Sequence, residues 1–135
     1  MTKDDGHNLT RTIDRLKRLI EELEDLADDA KSSQRHAWFP YMAAVLEVYL
    51  EMKARGVAKK ESKLMCKISG VKNGERLKHS IRRIIAATSK ADGKAASKMT
   101  LALRYALHED WDDIVAKLKK HGGIAGCAKK YSKLK

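Results

Sequence analysis

Apolar residues recur at Leu9, Ile13, Leu16, Ile20, Leu23, Ala27 and Ala30, with spacings of 4, 3, 4, 3, 4 and 3. This unbroken heptad predicts an amphipathic helix over 8–31, with Asn8 as its N-cap. Isoleucine at a with leucine at d suits two parallel strands, while Leu19 and Leu26 at g widen the stripe beyond a two-stranded seam. Two packings satisfy such a pattern. The helix can belong to an intramolecular bundle, or it can pair two protomers through Leu9, Ile13, Leu16, Ile20 and Leu23. Three heptads are the minimum for a coiled coil, so the spacing alone leaves both open.

Ser32 to Gln34 read as a break, and Pro40 suits the first turn of a second helix. That helix is expected over 40–55, stopped by Gly56. Ala43, Val45, Leu46, Val48, Tyr49, Leu50 and Met52 make it apolar on most sides, as expected of a central, buried helix. Trp38, Phe39 and Tyr41 at its start read as a core plug, with a base-stacking platform as the alternative. A third helix is expected over 59–69, ending at Gly70, and a fourth over 75–89, after the turn residues Asn73 and Gly74. Leu77, Ile81, Ile84 and Ile85 give the fourth an inward stripe. A loop around Asp92-Gly93 precedes a fifth helix over 95–107. A sixth is expected over 110–120, acidic at its start and lysine-rich at its end, as the helix dipole favours. Gly122-Gly123 ends it, and a short helix over 124–132 leads into a fraying lysine-rich tail. The fold class is therefore all-α: a compact bundle of six to seven helices, with no internal repeat. It divides into the N-terminal amphipathic helix at 1–33 and a basic helical region at 34–135.

Charge changes this picture most. Between Lys53 and Lys90 there are twelve Lys or Arg residues against only Glu61 and Glu75, a net of +10 in a chain whose formal charge is +11. The first 31 residues carry a net of −3. Charge segregated in this way points to a polyanionic partner, because each neutralised phosphate releases condensed counterions. The 135 residues suffice for one core, and 43% hydrophobic content argues for a folded chain. No apolar run approaches a membrane span, and Met1-Thr2-Lys3-Asp4-Asp5 lacks a signal-peptide h-region. Cys66 and Cys127, 61 residues apart, suit a reduced cytoplasmic protein, with Cys66 as a packed thiol.

Within the basic run, the helices over 59–69 and 75–89 resemble a helix–turn–helix at motif level. On that model Lys72, Asn73 and Arg76 lie where side chains read base edges, Arg to guanine and Asn to adenine. Lys59, Lys60, Lys63, Lys78, Arg82 and Arg83 would sit on phosphates and set register. The fit is imperfect. The turn of five residues exceeds the usual three or four, and aligning Gly70 with the turn glycine puts Arg76 and His79 at packing positions. An ordinary helix hairpin with a solvated basic face is the bland alternative. Lys94, Ser97, Lys98 and Thr100 at the entry of the fifth helix fit a phosphate clamp or an ordinary N-cap equally well. His121-Gly122-Gly123-Ile124-Ala125-Gly126-Cys127 reads first as a helix stop and second as a backbone anchor for phosphate.

Catalysis finds no constellation. His7, His36, His79, His108 and His121 are scattered, the cysteines form no CxxC pair, and the acidic run from Glu109 to Asp113 reads as a cap. The expectation is a non-enzyme with no cofactor, metal, membrane anchor or small-molecule ligand. The expected function is that of a small cytoplasmic, sequence-preferring protein that binds duplex DNA and regulates transcription, with a homodimer through the first helix as the expected assembly if that helix pairs between chains. The alternatives are a module whose basic face docks on or inhibits an acidic protein, and an RNA-binding protein.

Overall fold

The computed structural model describes residues 3–31 and 37–134, apart from the side chains of 3–8 and of Glu75. Among them are seven α-helices, one 3-10 turn and no strand. They are α1 (Lys3–Lys31), α2 (Phe39–Ala54), α3 (Ala58–Ile68), the 3-10 turn Gly74–Arg76, α4 (Ser80–Thr88), α5 (Gly93–His108), α6 (Ile114–Lys120) and α7 (Gly123–Lys133). No helix in this set is long and apolar enough to cross a membrane. The break expected at Ser32–Gln34 lies outside the described residues. Helix α1 begins before Asn8, which is therefore not its cap.

Helix α2 is the central element. Pro40 sits in its first turn, Gly56 follows its end at φ 73°, and it touches α1, α3, α4, α5 and α6. Phe39, Tyr41, Met42, Val45, Leu46, Tyr49 and Met52 are all buried. Trp38 meets Tyr41 edge-on at 5.5 Å, so the aromatic cluster is a core plug. The Tyr41 hydroxyl lies 2.6 Å from Thr88 Oγ1. Burial, outweighing the hydrogen bonds from Thr88 and Ser89, pushes the phenol up to about 12.

The heptad stripe of α1 packs on its own chain. Leu16, Ile20, Leu23, Ala27 and Ala30 are buried in contact with α2, α3 and α4. Leu16, Ile20 and Leu23, the expected dimer seam, are thus covered by helices of their own chain. Ile13 is half-buried, and Leu9 remains 41% exposed. One core runs from Leu16 through Val45, Met65, Ile84 and Leu103 to Cys127, so α1 belongs with the later helices.

An ion triad with a buried carboxylate at its centre ties α1 to that body. Glu61, on the inner face of α3, accepts from Arg15 Nη2 at 2.6 Å and from Arg55 Nη2 at 2.9 Å. Burial alone would raise this carboxyl; the hydrogen bonds from Arg55 and Arg15, and their charges, outweigh it and hold the group below the ordinary glutamate value. A carboxyl depressed in the folded state contributes stability above its unfolded pKa, and that stability is lost as pH falls through the folded pKa. Glu61→Gln is therefore expected to cost roughly 1–3 kcal/mol at pH 7, where half-exposed arginines can rehydrate. The gap from wild type should close below about pH 4, the ordinary carboxylate range, in urea titrations across pH.

The remaining elements follow their local signals. Asp92 Oδ1 accepts from the Ala95 N–H at 2.8 Å and starts α5. Asp113 Oδ1 accepts from the Ala116 N–H at 3.1 Å and starts α6, three residues later than Asp110 would have done. Asp110 adopts φ 54°, which ends the preceding turn. Gly122 and Gly123, at φ 91° and 71°, turn the chain from α6 into α7.

Candidate nucleic-acid interface

Helix α3 carries its cations on one side. Lys60, Lys63 and Lys67 are spaced by three and four residues, the separation that stacks side chains on one helical face. Glu61, Ser62, Met65 and Cys66 take the opposite, buried face. The one acidic residue of α3 is thus turned inward onto Arg15 and Arg55, and it neutralises nothing on the lysine face.

The chain after α3 folds back against the helix at Cys66, on its buried side. Gly70 at φ 70° ends the helix, and Asn73 at φ 61° turns into the 3-10 segment. Gly74 then lies so close to α3 that an added Cβ would sit 2.8 Å from Cys66 Cβ and 3.2 Å from its Sγ. The Cys66 thiol is buried and donates to the Arg83 carbonyl at 3.4 Å, which fixes α4 against the same spot. Burial raises this thiol, with the charges of Arg83 and Arg82 opposing, so it is a packed group and not a reactive one. Gly74→Ala must push the turn off α3, at an expected cost of about 1–3 kcal/mol, measurable as a lower urea midpoint.

Between α3, the turn and the start of α1 lies a cleft of about 660 Å³. Lys60, Lys63, Lys67 and Arg76 rim it with Asn73, and Leu9, Leu64 and Val71 form apolar walls. Among the described residues no carboxylate lines it. Lys59 and Lys78 flank it beyond Lys63, on a smaller adjoining cleft. Lys72 is exposed beside Asn73.

The helix–turn–helix geometry differs from expectation. Leu77 and His79 are extended, so residues 69–79 join the two helices and α4 begins at Ser80. The cause is a histidine cap: the Ile81 N–H donates to His79 Nδ1 at 3.0 Å. Burial first, then the charges of Arg104, Arg83 and Lys53, pushes His79 down to about 4, so the ring stays a neutral acceptor. Lys72, Asn73 and Arg76 therefore lie on the turn and the 3-10 segment, and not on the first turn of a second helix. Arg83 is only 4% exposed, held between α3 and α4 where it lines the smaller cleft, and does not stand on an open helix face. Arg82, its neighbour, is half-buried on α4.

Lys94 and Lys98 are exposed on α5 but line neither cleft. Thr100 there is buried, its hydroxyl donating to the Ala96 carbonyl at 2.8 Å, so it offers nothing to a phosphate. In the glycine-rich stretch, a Cβ on Gly126 would meet the His121 carbonyl oxygen at 2.9 Å. That glycine serves the α6–α7 turn. His121 itself stacks on Trp111 at 4.8 Å, beside Tyr105.

Two contributors escape a reading by charge alone. Lys67 completes the α3 stripe, and its spacing from Lys60 and Lys63 is the signal that finds it. Arg15 lies on α1, 46 residues from the Glu61 it pairs, and no local pattern announces it. No family model matches this chain, and neither a curated protein nor a solved structure matches it.

Proposed function

We propose that this chain is a small DNA-binding protein that grips duplex through the α3–turn face, with transcriptional regulation as its role. One observation carries the reading. Lys60, Lys63, Lys67 and Arg76 converge on one cleft while the acidic residue of the same helix is buried under Arg15 and Arg55. A cation cluster with no carboxylate among the described side chains that line it is the surface that phosphate neutralisation rewards. Asn73 and Arg76, on the turn, have the side chains suited to base edges. The grip requires no second copy of α1.

A second reading has its own support. The apolar walls at Leu9, Leu64 and Val71 beneath a cationic rim also suit an acidic amphipathic helix of a protein partner. Fluorescence anisotropy of a random-sequence DNA duplex, titrated at two salt concentrations, separates the two. The DNA reading expects affinity that falls with a log–log slope of roughly −4 to −6 for about five or six neutralised phosphates. Absence of binding at low salt sinks it and leaves the protein partner. Tighter binding to structured RNA at equal salt moves the assignment to RNA.

A further inference from the structure

The smaller cleft, of about 400 Å³, opens between α3 and the start of α4. Lys59, Lys63, Lys78 and Arg83 line it together with His79 and Ser80, and no carboxylate does among the described residues. Arg83 is the group without an explanation. Its Nη1 donates only to neutral hydroxyls, Ser62 Oγ at 3.2 Å and Ser80 Oγ at 3.4 Å. Among the described residues its buried Nε–H has no partner. Glu61, the neighbour of Ser62 in sequence, is already taken by Arg15 and Arg55. A guanidinium removed from water without a counter-charge is costly, and three lysines around the same cleft raise that cost. An anion in the cleft relieves both. It would also lie at the N-terminal end of the nine-residue α4, where helix geometry favours negative charge.

We infer that this cleft is a seat for one phosphate group, with Arg83 as its buried counter-charge and Lys59, Lys63 and Lys78 as outer clamps. The seat stands independently of the duplex reading, because the phosphate can belong to a nucleic-acid backbone or to a free phosphate ester. Charge-assisted bonds from a guanidinium and ammonium groups suit either source.

The test is a titration of the full chain, labelled at arginine nitrogen, with inorganic phosphate at constant ionic strength maintained by sodium chloride. The Arg83 Nε–H resonance, identified by its loss in Arg83→Lys, is expected to shift saturably. Lys59→Ala with Lys78→Ala changes only exposed residues and should keep the fold. This double variant should raise the half-saturating phosphate concentration on the order of tenfold or more. No saturable shift, or one unchanged in the double variant, overturns the seat. A short duplex added to the phosphate-saturated protein identifies the source: displacement assigns the seat to a backbone phosphate, and simultaneous binding assigns it to a free ester. Phosphate binding without any duplex binding removes the proposed function and leaves the seat intact.

Discussion

Replacing Lys60, Lys63 and Lys67 together with alanine is expected to weaken duplex binding on the order of 10²–10³-fold at about 50 mM salt, since each phosphate contact is worth about a decade there. The loss should be similar for every sequence tested, because these side chains reach phosphates and not base edges. The salt slope should flatten by up to about three units. Stability should hardly change: Lys60 and Lys67 are exposed, Lys63 is half-buried, and none of the three is in an ion pair among the described residues. The matched control is Lys94→Ala with Lys98→Ala. It removes two cations of the same sign from outside both clefts, and its affinity should remain within a few-fold of wild type. Equal losses from the two variants would mean that net charge, and not the α3 face, governs binding. Anisotropy titrations of both proteins against one duplex make the comparison.

Ile20→Asp should abolish folding of the monomer. Ile20 is 5% exposed and packs in the core that α1 shares with α2, α3 and α4. A carboxylate there must be buried without a partner or expelled with its helix. Either outcome costs about 4 kcal/mol or more, a large share of the 5–15 kcal/mol that holds a domain together. Circular dichroism should show helix loss at 25 °C, and sedimentation of the wild-type chain should show no dimer for the mutation to divide. A folded Ile20→Asp protein of half the wild-type mass would instead return the heptad to an intermolecular seam. Leu9→Ala at the exposed end of the same stripe should cost about 1 kcal/mol or less, because 41% of that residue stays in water on folding.

The helices themselves were largely legible in the sequence. Pro40 and Gly56 bracket α2, Gly70 ends α3, and Gly122-Gly123 separates α6 from α7, because each residue acts through its own backbone preference. The start of α4 was not legible. Glu75 and Arg76 continue an apparently helical pattern, yet Gly74 must press against Cys66, and His79 rather than Ser, Asp or Asn supplies the cap. Both causes are tertiary: a close approach to another helix, and a half-buried ring packed against Tyr49 at 5.5 Å. The heptad was legible as a stripe but not as to its partner, since the spacing is the same for packing within and between chains. The basic face was legible as charge and only partly as geometry. Arg82 and Arg83 are indistinguishable by type, and they diverge because Ser62 and Ser80 leave room for one guanidinium between α3 and α4. Glu61 reads in sequence as one of two acids tempering the basic run, and it becomes the internal anchor of α1 through the remote Arg15.

The most direct test of the account is an amide-by-amide footprint. Proton–nitrogen correlation spectra of the labelled chain, recorded with and without a random-sequence DNA duplex at low salt, report which backbone groups meet the ligand. The account predicts shifts concentrated in α3, the turn through His79 and the first turn of α4, with α5, α6 and α7 nearly silent. Shifts centred on Lys94 and Lys98 or on the lysines of α7, or no shifts at all, would contradict it.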